Sequence, residues 1–316
     1  MNTHYTISLG AGVQSTYLYL LAMDGKLQYI HRERDQWGRT ISKEWRPLPI
    51  EMAIFADTGD EPAPVYRHLE WLQSLNGPPI VVARAYKRSL GEILMSGVTE
   101  GSTRFVSIPA HMKDGNGGRS IGRRQCSREF KVSVVEKIIR RQIFGLKHGQ
   151  RMPKDAQCIV AIGMSADEER RVGNVMGRKQ PWETPVFPLY DMGLTRSMVQ
   201  RELAKRNIPH TVPRSACTFC PYRSNREWLN LKNEDPAGFA YAANLDAQIR
   251  GNTSQSATTD GGSRGLASQQ FLHRSCRPIA EIDFAAEVAK EDASKAAQPE
   301  LFGDNYDNEC QGICGL

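Results

Sequence analysis

The sequence predicts an α/β protein: an open, mostly parallel five-stranded sheet with helices on both faces, followed by a cysteine-containing C-terminal extension. Three observations predict it. Short apolar or β-branched runs alternate with segments whose apolar residues recur every three to four positions, the pattern of strands joined by crossover helices. Three of the strand-like runs end in glycine with polar or acidic residues, "SLGAG", "DTGDE" and "GMSADEE". Parallel sheets covered on both faces bind ligands beyond the carboxyl ends of their strands, so three such ends in one chain point to one ligand site.

In chain order, a first strand is expected at residues 4 to 9 and a first helix at 14 to 23. "LQYIHRERDQWGRTISKEW" reads as a polar hairpin inserted around a turn at Gly38. "EMAIFAD" is a buried strand ending at Asp57, and Val65, Leu69 and Leu72 then share one face of a helix. "PIVVARA" and "QCIVAIG" are further strands, with crossover helices near 131 to 143 and 195 to 206. Residues 96 to 125 read as a long glycine-rich loop, a length that marks a functional or disordered segment. The organisation expected is a nucleotide-binding domain over residues 1 to 210, a CxxC-containing subdomain over 211 to 283, and a flexible tail over 284 to 316. The polar stretches "NTSQSATTDGGSRGLASQQ" and "AKEDASKAAQPELFGDNYDNE" fit that change of composition.

The bulk numbers bound the function. A chain of 316 residues, 40% hydrophobic and 24% charged, is ordinary for a globular protein with a full core. No apolar run approaches a membrane span, and the start "MNTHYTISLG" lacks the basic and apolar regions of a secretory signal, so a cytoplasmic location is expected. The net charge of +6 is uneven: between Arg119 and Arg151 lie ten Lys and Arg residues against Glu129 and Glu136. That stretch suits an anionic nucleotide, a nucleic acid or a sulfate group, or simply a solvated helix face. Seven cysteines in a cytosolic chain favour metal or thiol chemistry over a disulfide scaffold.

The turn "SLGAGVQST" sits between the first strand and the first helix, where backbone N–H groups at a positive helix end bind phosphate. It is not a Walker A loop, because the Gly-Lys-Ser/Thr ending is absent. As a dinucleotide fingerprint it would read Gly10-x-Gly12-x-x-Ser15, with the third glycine replaced. Gly10 and Gly12 let the backbone approach a phosphate, and Ser15 supplies a hydroxyl.

"GAGVQST" resembles the PP-loop of the adenine nucleotide alpha-hydrolase superfamily, usually Ser-Gly-Gly-x-Asp-Ser, with Gly10, Ala11, Gly12, Val13, Gln14 and Ser15 in those places. Glutamine in place of the acidic residue resembles the branch of phosphoadenosine phosphosulfate (PAPS) reductases and their relatives. The likeness recurs in order through "FADTGDEPAPVYRHLEWL", "RRQCSREFKVSVVEKII", "AIGMSADEERR" and "PVFPLYDMGLTRSMVQREL", covering about residues 5 to 230. The resemblance implies an adenine nucleotide, ATP or an adenylyl sulfate, held by Ser8, Gly10, Gly12, Gln14, Ser15, Asp57, Thr58, Gly59, Glu61, Asp167, Glu168 and Arg170. Arg123, Arg124 and Arg128 would hold the anionic end of the substrate.

The cysteines carry the remaining chemistry. Cys217-x-x-Cys220 can clamp a soft metal, an iron–sulfur cluster or a disulfide. In cluster-containing relatives a cysteine at the place of Cys126 and a later CxxC bind a 4Fe–4S cluster, and Cys276 completes a set of four by counting; structural zinc with the same ligands is the alternative. Cys158, opening a buried strand, reads as a core residue. Glu309-Cys310 and Cys314-Gly315 resemble the C-terminal Glu-Cys-Gly element of the reductases, whose thiolate attacks sulfur, which makes Cys310 and Cys314 the candidate catalytic residues. The pair could equally bind the metal or form its own disulfide. His111, His210 and His273 have no ligand spacing, and Trp71 and Trp228 read as packing residues.

Three functions follow as expectations. The first is sulfur chemistry on an adenylyl sulfate with a thioredoxin-type reductant. The second is ATP-dependent transfer of sulfur to tRNA or DNA. The third is a non-catalytic nucleotide-binding protein with a structural zinc.

Overall fold

The computed structural model of the protein describes residues 3–37, 39–96, 107–176, 180–251 and 268–296. Two compact units emerge, each discontinuous in sequence. The first comprises Met1–Asp57, Ala63–Ala85 and Phe130–Ser215; the second comprises Thr58–Pro62, Tyr86–Glu129 and Ala216–Leu316. In chain order the strands are β1 (Thr3–Leu9), β2 (Gln28–Arg34), β3 (Thr40–Pro47), β4 (Met52–Asp57), β5 (Ile80–Arg84), β6 (His111–Lys113), β7 (Arg119–Ile121), β8 (Gln157–Ile162), β9 (Glu183–Val186) and β10 (Gln269–Phe271).

The first unit holds a five-stranded, all-parallel sheet in the order β5-β4-β1-β8-β9. Its inner strands β4 and β8 are buried at nearly every position, as strands covered on both faces must be. The helix Val13–Met23 buries Val13, Tyr17, Leu18, Leu20 and Leu21 against this sheet. Val65, Leu69 and Leu72 form the buried face of the helix Ala63–Ser74, as their spacing predicts. The chain runs from β1 to one side through β4 and β5, then crosses back to the other side at β8. The order therefore reverses between β1 and β8, and ligands of such sheets bind at the carboxyl end of that reversal.

The inserted hairpin pairs β2 with β3 antiparallel, with a bulge at Glu33/Arg34; Gly38 lies outside the described residues. Tyr29 is buried, and Arg32 is ion-paired with Asp191, which anchors β2, while all of β3 is exposed.

The second unit contains a three-stranded sheet, β10-β6-β7, and the helices Asn225–Glu234, Pro236–Gly251 and Phe284–Ala296. Trp228, Phe239 and Phe284 pack together, with the Trp228 and Phe284 rings stacked at 6.1 Å. The buried Asp246 carboxylate accepts from the Leu272 and Ile279 backbone N–H groups and from Arg250.

Two stretches differ from their sequence expectations. In the glycine-rich segment, residues 107–125 carry the β6–β7 hairpin, turned at Asp114, whose carboxylate accepts from the Asn116 and Gly118 N–H groups. Its strands are three residues each, too short for period-two alternation to register. Within the segment expected as tail, residues 284–296 form a helix, because Phe284 and Val288, one turn apart, are both buried. No helix among the described residues is long and apolar enough to cross a membrane.

Candidate functional site

In the first unit the glycine turn leaves the carboxyl end of β1 and opens the helix Val13–Met23. The backbone N–H groups of Gly10 and Gly12 both donate to Ser15 Oγ at 3.2 Å, and that hydroxyl donates to the Gly12 carbonyl. Ser15 thus shapes the turn from its third helical position. Ala11 has φ of +54°, a left-handed conformation that costs an L-residue about 1 kcal/mol and that glycine would adopt freely. The turn is also crowded. A Cβ on Gly12 would lie 3.1 Å from the Ser215 Cβ, and one on Gly10 would lie 3.2 Å from the Ser215 Oγ. Ser8 is half-buried in β1, paired with Ile54 and Ile162.

Across the strand reversal, the end of β8 completes this region. A Cβ on Gly163 would sit 2.8 Å from the Ser15 backbone nitrogen, so β8 ends directly on the first turn of the helix. Ser165 and Glu168 form a capping box: Glu168 Oε2 accepts from the Ser165 N–H at 3.0 Å and from its hydroxyl at 3.2 Å. Gln14 Nε2 donates to the same Glu168 oxygen at 3.0 Å and to Ser165 Oγ at 3.3 Å, while Arg196 Nη1 donates to Gln14 Oε1 at 3.4 Å. Asp167 accepts from the Arg196 N–H at 3.1 Å. The Gln14 amide is therefore held between a carboxylate and a guanidinium, a role that needs both its donor and its acceptor.

Of the arginines after β8, Arg171 is ion-paired with Glu168, whereas Arg170, the residue expected at the site, is exposed. Asp57, buried at the end of β4, accepts from Tyr66 Oη at 2.8 Å and from Arg84 Nε at 2.6 Å. The Arg84 guanidinium is raised above its ordinary value by that hydrogen bond. Sequence reading took in Gly163 as part of a glycine-bearing strand end, chose Arg170 where Arg171 makes the contact, and missed Arg196 and Ser215. The Ser165-x-x-Glu168 box and the Glu168–Arg171 pair, three positions apart, are local, whereas the contacts of Arg196 and Ser215 join residues far apart in the chain.

The second unit holds the thiols. Gly59, with φ of +80°, forms the turn between Thr58 and Glu61, both buried. Thr58 Oγ1 lies 3.3 Å from Cys217 Sγ and 3.4 Å from Glu61 Oε1. Asp60, which sequence reading did not single out, is the centre of this turn. Its carbonyl accepts from the Thr218 N–H and hydroxyl, and its carboxylate accepts from Tyr241, Ser89 and the Gly91 N–H. Burial raises the Asp60 carboxyl above the ordinary range, and burial together with Asp60 raises the Tyr241 phenol. The "TGDE" turn is in this way a cradle for the CxxC loop. Within that loop the Cys220 N–H donates to the Cys217 carbonyl, and Arg223 donates to the Cys217 and Thr218 carbonyls.

Arg124 is the charged centre among the thiols. Burial pulls its guanidinium below the ordinary value, while Cys126, Cys220 and Tyr222 act in the opposite sense, Cys126 also through a side-chain hydrogen bond. The guanidinium lies 5.9 Å from the Tyr222 ring centroid. Arg123 and Arg128 are exposed. Cys276 is buried with φ of +54°, its N–H bonded to the His273 carbonyl. Cys158 is buried in β8, its thiol pushed up to about 12 by desolvation, as a core residue. Cys310 and Cys314 lie outside the described residues.

A buried guanidinium beside Cys126 and Cys220 suits thiolates, which is the donor chemistry an iron–sulfur cluster or zinc requires. Among the described residues, however, no group of three or more His, Cys, Asp or Glu side chains is arranged to hold a metal ion. The fit is thus chemical and not yet geometric, and no step below is routed through a metal group. Compared with known proteins, the chain matches no family model and no curated protein.

Proposed function

We propose that the protein is a PAPS reductase-like PP-loop enzyme that binds an adenine nucleotide and performs thiol-dependent sulfur chemistry on an adenylyl sulfate. The observation that carries this reading is the position of the Gly10–Ser15 turn. It lies at the carboxyl end of β1, beside the end of β8, where the strand order reverses. There the first-turn N–H groups of an eleven-residue helix, which have no partners within the helix, face a prospective phosphate. Gln14, fixed by Glu168 and Arg196, offers a neutral amide where ATP-cleaving relatives carry an acid.

In the proposed reaction a cysteine thiolate, Cys310 or Cys314, attacks the sulfonate sulfur. The S–O bond to the nucleotide breaks, giving a cysteine S-sulfonate and an adenosine phosphate. A second thiol then displaces sulfite, and a thioredoxin-type dithiol reduces the resulting disulfide. A 4Fe–4S cluster on Cys126, Cys217, Cys220 and Cys276, or zinc in its place, would supply further sulfur or electrostatic chemistry.

Anaerobic calorimetry with ATP, AMP and adenylyl sulfate tests the nucleotide, and sulfite release with a thioredoxin-type reductant tests the reaction. Activity lost on truncation before Cys310 supports the reading. Pyrophosphate release that depends on tRNA or DNA would replace it with nucleic-acid sulfur transfer. An iron and sulfide assay separates cluster from zinc.

A further inference from the structure

Part of the chain's basic stretch lies away from the nucleotide turn. Between residues 133 and 156 there are six Lys and Arg side chains, Lys137, Arg140, Arg141, Lys147, Arg151 and Lys154, against two acids, Glu136 and Asp155. This segment of the first unit runs from the end of one helix through a loop into β8. Because all five strands of the sheet are parallel, a loop that enters β8 lies at the amino edge. The Gly10–Ser15 turn leaves β1 at the carboxyl edge, one strand length or about 20 Å away. Packing agrees with the topology: Phe144 lies edge-on to His4, near the start of β1, with ring centroids 5.1 Å apart. The cations are thus not explained by a nucleotide at the other edge.

The segment is held in shape. Arg140 donates to the Gln150 carbonyl, the Leu146 N–H donates to the Arg140 carbonyl at 2.9 Å, and the Lys147 N–H donates to Gln150 Oε1 at 2.6 Å. Gly145 and Gly149, with φ of +62° and +80°, make the bends. Lys137, Arg141, Lys147, Arg151 and Lys154 are all exposed, and none of the five is ion-paired among the described residues. Lys137 and Arg141 stand one helical turn apart, a like-charge spacing that costs stability when nothing compensates it. The nearby carboxylate of Glu51 is engaged by His4 at 2.9 Å and by the Tyr5 N–H at 3.1 Å.

We infer that this helix end and loop form a surface that binds the backbone of a double-stranded nucleic acid. Unpaired cations carried on a helix end and a hydrogen-bonded loop complement a regular row of phosphodiesters. The exposed residues between them are glycine, glutamine, histidine and proline, with no apolar anchor of the kind a protein interface centres on. They offer no phenylalanine, tyrosine or tryptophan ring, and only the His148 imidazole, on which unpaired bases would stack. The inference goes beyond the proposed function and stands whether or not the first edge holds a nucleotide.

The test is fluorescence anisotropy of the full chain with a labelled 20-base-pair DNA duplex, and with an RNA duplex of the same length, from 50 to 200 mM salt (about the range in which backbone contacts dominate). Five phosphate contacts predict a slope of log affinity against log salt of about −4 to −5. Substituting all five exposed cations by glutamine is expected to weaken duplex binding at least about tenfold and to reduce that slope by more than about half. Lys147→Gln with Arg151→Gln, confined to the loop, serves if the larger variant does not fold, with a slope change of about two. Calorimetric nucleotide binding is expected to be unchanged in both variants, so failure of the proposed function would be read separately in the same samples. The inference is overturned if neither duplex binds at the lowest salt, or if the loop variant binds with unchanged affinity and slope. Equal affinity for polyglutamate, or binding to phosphatidylserine vesicles in place of duplexes, would also overturn it.

Discussion

Gly163 and Ser15, 148 positions apart in the chain, meet so closely that a single methyl group would not fit between them: a Cβ on Gly163 would lie 2.8 Å from the Ser15 backbone nitrogen. Since the obstacle is backbone, Gly163→Ala has to displace the first turn of the helix. We expect a loss of about 1–3 kcal/mol in stability, the usual cost of overpacking, together with loss of nucleotide binding. Chemical denaturation and anaerobic calorimetry read the two effects. A variant with unchanged stability and affinity would refute this account of the glycine.

Gln14 gives a second outcome. Its Nε2 donates to Glu168 at 3.0 Å, so Gln14→Glu puts a second carboxylate against the first and removes the donor. With Arg196 and Arg171 as the neighbouring cations, the variant should still fold but lose about 1–3 kcal/mol at neutral pH. Gln14→Met, which removes the polar contacts without adding charge, should cost less than the glutamate. Urea denaturation of the pair checks the order.

The Asp60 turn gathers hydrogen bonds from Ser89, Gly91, Thr218 and Tyr241. Asp60→Ala would leave the Tyr241 and Ser89 hydroxyls and the Gly91 N–H without their acceptor. A destabilisation of about 3–5 kcal/mol is expected, the range for breaking a buried charged network. The CxxC loop should loosen as well, because the turn that presents the Asp60 carbonyl to Thr218 would lose the carboxylate contacts that fix it. Faster alkylation of Cys217 and Cys220 by iodoacetamide, followed by mass spectrometry, would report that loosening, and protection equal to wild type would count against the cradle.

Acid should act through two buried histidines. Burial pushes His68 down to about 4, with His210 adding to it, and burial pushes His273 down to about 4, with Arg274 adding to it. Both rings are bonded on both nitrogens: His68 to Thr16 and His210 at 2.8 Å each, His273 to Ser275 at 2.8 Å and Asn225 at 2.7 Å. A group whose folded value lies below its unfolded value of about 6.5 takes up protons on unfolding. Its stabilisation is therefore complete above pH about 6.5 and is lost as the pH falls towards about 4, by at most about 3 kcal/mol per histidine. Thermal melts from pH 7.5 to 4 should show this fall, and His68→Gln should reduce its steepness. A flat profile across that window would contradict the assignment.

How much of this was legible in the sequence depends on the range of the contact involved. The strands ending at Leu9, Asp57, Arg84 and Ile162, and the helix face of Val65, Leu69 and Leu72, follow from periodicity, which is written locally. The glycine turn and the DTGDE run stood out because glycine marks backbone that side chains cannot occupy. The short β6–β7 hairpin and the helix Phe284–Ala296 did not, the first because three-residue strands carry no pattern, the second because its buried residues sit among polar ones.

By itself the sequence determined the alternation of strand and helix, the glycine turn after the first strand, and the stock of thiols and cations from which chemistry could be built. Only the tertiary structure decided what those residues do for one another. It set Gly163 against Ser15, held Gln14 between Glu168 and Arg196, gave Asp60 the central place in its turn, and put the lysines and arginines of residues 133–156 at the opposite edge of the sheet from the nucleotide turn. The physical reason is that hydrophobic periodicity acts within a few residues, whereas these pairings join residues distant in the chain and arise only once it packs, in the first unit by parallel strands ordering themselves side by side and bringing distant loops to a common edge.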